Sequence, residues 1–175
     1  MGSTGQVILE SWHGNSMPNG IVIPKAFASA ILKSKKELAA FGFNRDISTF
    51  TVHFKDGSWI RTQTYAEKWP DISRILTCDP EIIERDLKPV PSGFWEGISA
   101  VEKFAKDNLI YISGKTIAGG DARYDVEGLN EKSTFNIANL KLISEHVTHM
   151  MFSTTNTCHL VFGKNIRGAI SKVII

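Results

Sequence analysis

This sequence has few cysteines, lacks a long apolar stretch and carries only a small net charge. The 175 residues include two cysteines, Cys78 and Cys158, too few for a disulfide framework or a multi-cysteine metal site. We therefore expect a reducing, cytoplasmic environment. No apolar run approaches the roughly 18 residues of a membrane-spanning helix, and residues 1–6 lack the segments of a signal peptide. A net charge of +2 excludes a strongly basic, histone-like nucleic-acid binder.

The composition is that of an ordinary folded protein, 42% hydrophobic and 22% charged. A chain of this size can bury roughly 70% of its unfolded surface, which is enough for a core. The length predicts one domain, or one domain plus a fraction.

A helix followed by several strands recurs about three times along the chain. Helices are predicted from Pro24 to about Ala40, from Ser92 or Gly93 to about Lys106, and from about Asn139 to His146. Strands are predicted at 6–11, 49–53, 58–64, 109–113, 122–126, 133–136, 150–153, 159–162 and 168–173. The Asp56-Gly57 pair is a strong hairpin signal, and residues 79–91, with three prolines, predict a connector and a boundary. This repetition predicts an α+β fold of antiparallel sheets with helices on one face.

The first predicted helix is amphipathic. Its apolar positions are Phe27, Ala30, Ile31 and Leu38, and its polar positions on the other side are Lys25, Ser29, Lys33 and Lys36. A lysine stripe of this kind is either a solvated face or a surface for an anionic partner, and the helix alone leaves both interpretations open.

Motifs for catalysis are weak throughout. Gly114-Lys115-Thr116 resembles the end of a phosphate-binding loop, but the earlier glycine is replaced by Leu109. His146 and His149 lack the third and fourth ligands of a zinc site. We therefore expect no catalytic residue, no metal and no cofactor.

Three segments together resemble the bacterial DNA polymerase III sliding clamp, the beta subunit. They are Gly20 to Ile31 (GIVIPKAFASAI), Trp69 to Leu76 (WPDISRIL) and Thr134 to Leu140 (TFNIANL). Their order and spacing agree with that family, and the shortened stretch at 124–129 is more similar to phage-encoded clamps. The resemblance covers about residues 20–175. It implies a DNA-clamp fold of about three helix-plus-sheet half-domains, with the second half of a middle domain in 1–85 and a C-terminal domain in 86–175.

The family implies a non-catalytic processivity factor of DNA polymerase, a ring around duplex DNA whose helices line the hole. Mobile lysines would then contact phosphates without reading sequence. The positions expected to face DNA are Lys25, Lys33, Lys36, Lys103, Lys106 and Lys141. The implied partners are duplex DNA, peptides of the polymerase and clamp loader, and either further copies of this chain or a longer clamp chain, with no membrane.

The family also implies a small apolar pocket for client peptides between the middle and C-terminal domains. The matching positions are Pro70, Arg74, Ile75, Asn136, Asn139, Val173 and Ile174. The sequence departs from the family at Asn139, where tyrosine is usual, and at its end, which lacks the usual proline.

Three alternatives accompany this interpretation, and they concern the extent of the chain, its function and two of the pocket residues. The chain is either a naturally short clamp or a C-terminal piece of a longer one. A clamp-like interaction protein, which binds replication partners without encircling DNA, is the alternative function. For Pro70 and Ile75, simple packing where two domains meet is the competing explanation.

Overall fold

Short helices alternate with antiparallel strands along the chain. The computed structural model describes residues 2–3, 7–11, 21–65, 73–76, 79–152 and 158–173, with the backbone alone described at 2, 3, 73 and 74. In chain order the strands are β1 (Gly2–Ser3), β2 (Val7–Ser11), β3 (Leu38–Asn44), β4 (Thr49–Phe54), β5 (Trp59–Gln63), β6 (Lys88–Pro89), β7 (Leu109–Gly114), β8 (Thr116–Gly119), β9 (Ala122–Asp125), β10 (Glu131–Asn136), β11 (His149–Met151), β12 (Cys158–Gly163) and β13 (Ile166–Ser171). The α-helices are α1 (Lys25–Ser34), α2 (Ser73–Leu76), α3 (Pro80–Asp86), α4 (Phe94–Val101) and α5 (Ile137–Ile143).

The chain divides into two compact units. Residues Met1–Gly14 and Ile72–Ile175 form the larger unit, and Asn15–Asp71 form the smaller unit. This division differs from the predicted boundary between residues 85 and 86. The start of the chain belongs to the larger unit because β2 pairs along its whole length with β13, and α2 belongs to it because Leu76 packs with Met151, Leu160 and Ala169.

The larger unit contains two sheets and two halves. The first half runs from β6 to β9 and the second from β10 to β13, and each half contributes one strand to the sheet of the other. One sheet has the order β1-β2-β13-β12-β11-β6 and the other β10-β7-β8-β9, with every pair antiparallel. The strand that precedes each helix lies in the sheet of the other half: β6, before α4, pairs with β11, and β10, before α5, pairs with β7. Apolar residues of both helices and both sheets fill one core. The core of the larger unit therefore depends on both halves together.

The smaller unit contains α1 and a sheet in the order β3-β4-β5. Its core is formed by Phe27 of α1 and by Phe50, Val52 and Phe54 of β4. The predicted Asp56-Gly57 hairpin is confirmed, since β4 and β5 pair on either side of it and Gly57 has a φ of +83°.

The first helix is shorter than predicted. It ends at Ser34, where Lys35 takes the left-handed conformation (φ 52°), and residues 38–44 form β3 against β4. Pairing with β4 overrides the helix propensity of Leu38, Ala39 and Ala40. Pro24 precedes the helix as its N-cap residue.

Two further predictions about elements were wrong. The predicted connector at 79–91 contains α3, whose start is capped by the Asp79 carboxylate accepting from the Glu81 N–H at 3.0 Å. The second helix ends as α4 at Val101, and two 3₁₀ turns, Glu102–Phe104 and Lys106–Asn108, follow it.

A close approach in the larger unit explains one glycine. Gly120, in the turn between β8 and β9, has a φ of +58°, and a Cβ there would lie 2.1 Å from the Phe104 carbonyl oxygen. The repetition predicted from the sequence is confirmed: α1, α4 and α5 are each followed by three consecutive antiparallel strands. The predicted α+β class is likewise confirmed.

Candidate functional site

Two of the predicted DNA-facing lysines lie on α1. Lys25 is its first residue and Lys33 lies in its last turn, and both are exposed. Eight residues separate them, which places them about 80° apart around the helix axis. Phe27 is the buried residue of this helix. Lys35, directly after the helix, is also exposed, and the sequence pattern did not single it out.

Lys36 does not lie on the helical stripe, contrary to the prediction. It follows the end of α1, and its Nζ lies 2.8 Å from the Asp56 carboxylate and 2.9 Å from Ser58 Oγ. The ammonium also lies over the Phe54 ring, 5.6 Å from its centroid. The hydrogen bonds from Lys36 and Ser58 hold the pKa of Asp56 well below its usual range. Lys36 therefore joins the start of β3 to the β4–β5 hairpin.

The remaining predicted lysines lie in the larger unit. Lys103 and Lys106 are exposed on the 3₁₀ turns that follow α4. Lys141 of α5 forms an ion pair with Glu102, with 2.5 Å between Nζ and Oε2. Its charge is thereby partly compensated within the larger unit.

Asn136 and Asn139 lie at the start of α5. The Asn136 side chain caps α5 by accepting from the Ala138 N–H at 2.9 Å and the Asn139 N–H at 3.4 Å. It also accepts from Asn108 Nδ2 at 3.3 Å. Asn139 is 8% exposed. Asn136 thereby holds the start of α5, and neither Asn136 nor Asn139 lines the cleft of the larger unit that contains Val173.

That cleft has a volume of about 440 Å³. It lies along β7, β10 and the segment that follows β13, and it is lined by Tyr111, Ile112, Ser113, Lys132, Ser133, Thr134, Lys172 and Val173. Val173 was a predicted pocket residue, whereas Lys132 and Lys172 were not predicted. Alternation along β10 could have indicated Lys132, because it is exposed between the half-buried Glu131 and the buried Ser133.

The other predicted pocket residues are only partly described. Ile75, on α2, is exposed, while its neighbour Leu76 packs with Met151, Leu160 and Ala169. Of Arg74 the structure describes the backbone alone. Pro70 and Ile174 lie outside the described residues.

Titratable groups buried in the larger unit occupy structural positions. His159 is fully buried, and its Nε2 lies 2.6 Å from Ser133 Oγ, between the rings of Phe135 and Phe152. Burial, with the nearby charge of Lys172, lowers the pKa of His159 to about 3. Burial also raises the pKa of the Cys158 thiol. Neither group is prepared to act as an acid, base or nucleophile near neutral pH.

The described part of the chain contains neither a cluster of metal ligands nor a membrane-spanning helix. Within it, no three His, Cys, Asp or Glu side chains lie close enough to hold a metal ion. His149 instead hydrogen-bonds to Thr148 Oγ1 at 2.9 Å. Among the described helices, none has the length and apolar character needed to cross a membrane. Gly114-Lys115-Thr116 forms the tight turn between β7 and β8, with no helix after it.

Comparison with known proteins gives one kind of match. No protein-family model matches the sequence, and no curated protein matches it. Solved structures of sliding clamps do match. The DNA polymerase III beta subunit of Borrelia burgdorferi has a TM-score of 0.73 at 15% identity, over 99% of this chain and 52% of that one. The pol III beta of Caulobacter crescentus has a TM-score of 0.71 at 12% identity, over 99% and 53%.

A third match, the DNA polymerase sliding clamp of Pseudomonas aeruginosa, has a TM-score of 0.69 at 12% identity, over 99% of this chain and 54% of that one. The chain therefore spans about half the length of the clamps it matches. At this level of identity the likeness establishes the fold. Together with the repeated helix-plus-three-strand halves, it shows that the chain has the fold of the DNA polymerase III beta sliding clamps, over about half of a clamp chain.

Proposed function

We propose that this chain is a sliding-clamp processivity factor, or a C-terminal part of one, that encircles duplex DNA and docks client peptides. The observation that carries the proposal is the clamp fold, which extends over 98–99% of the chain in the solved structures it matches. The function requires no catalysis. In this proposal the chain works in an oligomer, either with further copies of itself or with a longer clamp chain, and it belongs to the phage type.

The DNA-facing role is assigned to the exposed lysines of the helices and the turns after them. Lys25 and Lys33 on α1, and Lys103 and Lys106 after α4, are exposed, and no ion pair is found for them among the described residues. Charges of this kind neutralise phosphates without reading bases, as a sliding ring requires. Lys36 and Lys141 are expected to contribute less to DNA binding, because Asp56 and Glu102 compensate their charges.

Client docking is proposed for the cleft of the larger unit beside Val173. Its walls combine apolar Ile112 and Val173 with the ammonium groups of Lys132 and Lys172. Such a site suits a short segment with an aliphatic or aromatic anchor and an acidic flank. Ile75 is retained as a second candidate contact, because it is an exposed apolar side chain on α2.

Retention on DNA tests the function. The chain, with the clamp loader of its host, is assembled on nicked circular duplex, and retention is measured before and after linearisation. Topological encirclement predicts that linearisation releases the protein. Replacing both α1 lysines (K25E/K33E) should lower the amount of protein loaded, and hence retained, at least about tenfold, because two phosphate contacts that favour loading are lost.

The matched control is R45E/K164E, which changes the net charge equally at two exposed turn residues. Equal retention of both variants would reject the DNA-facing assignment of α1. That result would favour a clamp-like interaction protein that does not encircle DNA. The ion pairs that compensate the charges of Lys36 and Lys141 also favour this alternative.

A further inference from the structure

The smaller unit is built as the second half of the larger unit. In the larger unit, the Val173 N–H, two residues after β13, donates to the carbonyl of Thr134, three residues before α5, at 3.1 Å. In the smaller unit, the Tyr65 N–H, two residues after β5, donates to the carbonyl of Val22, three residues before α1, at 2.9 Å. The segment 21–24 therefore occupies the position of β10.

In the larger unit, each half completes the other. The strand β10 pairs with β7 so that Phe135 lies opposite Ile110 and Ser133 opposite Ile112. In return, β6 of the first half pairs with β11 of the second. The segment leading into one helix thus covers the open edge of the first strand after the other helix.

Among residues 21–65, the edge of β3 that corresponds to the edge of β7 covered by β10 has no strand beside it. The Phe54 N–H donates to the Ser58 carbonyl, toward β5, at 2.9 Å. Alternation along β4 then directs the backbone of Val52 and Phe50 toward β5 as well. Their partners on β3, Phe41 and Phe43, therefore turn their N–H and C=O groups away from β4, to the edge where no described strand lies.

Among the described residues, the segment leading into α1 likewise has one edge without a strand partner. Because Val22 directs its carbonyl toward Tyr65, alternation directs the backbone groups of Ile21 and Ile23 to the opposite side. In the larger unit, Ser133 and Phe135 hold the same positions, and these are the residues that face β7.

Side chains of the smaller unit are exposed where the larger unit buries them. Leu32, seven residues after the first residue of α1, is 80% exposed, while Val101, seven residues after that of α4, is 1% exposed in the core that α4 and α5 share. On β3, Phe41 is 46% exposed, whereas Ile110, at the same distance after the first residue of α4, is 0% exposed. A sheet edge with unpaired backbone groups and exposed apolar side chains, such as that of β3, readily pairs with another strand.

We propose that two copies of this chain associate through their smaller units, each laying residues 21–24 along β3 of the other. Phe41 and Phe43 lie 16 and 18 residues after the first residue of α1, as Ile110 and Ile112 do after that of α4. The same register therefore places Ile23 opposite Phe41 of the second copy and Ile21 opposite its Phe43.

The arrangement is a two-fold, self-complementary interface, because each copy supplies both the segment and the edge. The second copy is the occupant chosen because the chain already contains both surfaces, and because the larger unit shows how two such halves join. The pair of α1 helices then covers one shared core, as α4 and α5 do. This inference rests on the homo-oligomer named in the proposed function. Because its tests contain no DNA, their outcome does not depend on whether the chain encircles DNA.

Disulfide trapping tests the register. The proposed pairing sets Val22 opposite Gly42 of the second copy as a non-hydrogen-bonded pair, the closer type in an antiparallel ladder. A Cβ at Gly42 meets nothing within 4 Å, so a cysteine fits there. In a background of C78S/C158S, the V22C/G42C variant should form a covalent dimer in high yield on mild oxidation.

The matched control moves one cysteine to the opposite edge of the sheet. G42C combined with Q63C, on β5, should give little covalent dimer, because Gln63 does not lie at the proposed interface. Equal yields from the two variants would overturn the proposed register.

Solution mass tests the association with the unaltered chain. Sedimentation equilibrium without DNA should give twice the 19.4 kDa chain mass, or a multiple of that dimer. A monomer at submillimolar concentration would overturn the proposal. So would a dimer in which the V22C/G42C pair fails to crosslink, because the chain would then associate through another surface.

Discussion

At the scale of single residues, His159 shows how burial sets chemistry in the larger unit. Its ring is fully buried between Phe135 and Phe152, next to Ser133, and Lys172 is the charged group that acts on it. Protonation would place a second positive charge in this surrounding. The folded chain therefore keeps His159 neutral.

The pKa of His159 makes the stability of the larger unit depend on pH. In the unfolded chain the pKa returns to about 6.5, and in the folded chain it is about 3. Between these values the unfolded state binds a proton that the folded state does not, so the free energy of unfolding falls as pH falls, by up to about 1.4 kcal/mol per pH unit. Urea unfolding at a series of pH values measures this slope.

His159→Gln should flatten the slope between pH 6.5 and 4, since glutamine keeps a polar partner for Ser133 but does not titrate. His149→Gln makes the same substitution at an exposed histidine and is the control for replacing a histidine as such. A slope identical in all three proteins would contradict the assignment to His159.

At the scale of elements, the end of α1 is decided by one backbone conformation. Lys35 has a φ of 52° and a ψ of 15°, in the left-handed region that costs a residue with a Cβ about 1 kcal/mol. The residue after a helix often adopts this conformation, and glycine is then preferred. Nothing in the run Lys33 to Lys36 signals such an end.

Lys35→Gly should therefore raise the free energy of unfolding of the smaller unit by about 0.5–1 kcal/mol. Lys35→Ala removes the same charge without relieving the backbone, so it should give no gain. Lys33→Gly, inside the helix, should lower the stability by about 1 kcal/mol. Chemical unfolding followed by a probe in β4 compares the three variants, and a gain for alanine equal to that for glycine would refute the backbone explanation.

The elements differ in how far their sequences determine them. The β4–β5 hairpin was predictable, because Asp56-Gly57 supplies a local turn between alternating strands. The helix α3 also carried a local signal, the Asp79-Pro80 cap, although three prolines in 79–91 concealed it. By contrast, residues 38–40 at the start of β3 were predicted as helix. Their pairing with β4 is a tertiary contact that overrides the helix propensity of Leu38-Ala39-Ala40.

At the scale of the whole molecule, the sequence predicted the repetition but not the exchange of strands between halves. Helix-plus-strand periodicity is a local pattern, whereas the pairing of β10 with β7 joins residues from different halves. The residues of the candidate site show the same contrast between local patterns and contacts that are distant in sequence. The exposure of Lys25 and Lys33 followed from helix periodicity, while the ion pairs of Lys36 and Lys141 join them to acids distant in sequence.

The proposed association also links the stability of the smaller unit to protein concentration. By mass action, a folded dimer is stabilised relative to unfolded chains by about 1.4 kcal/mol of dimer for each tenfold rise in concentration. The thermal midpoint of the smaller unit should therefore rise with concentration, and the N–H groups of Phe41 and Phe43 should exchange more slowly with solvent. Ile110, already paired within the larger unit, serves as the internal reference, because its strand partner β10 belongs to the same chain. Hydrogen exchange at Phe41 and Phe43 that remains fast and independent of concentration would show that the edge of β3 stays open.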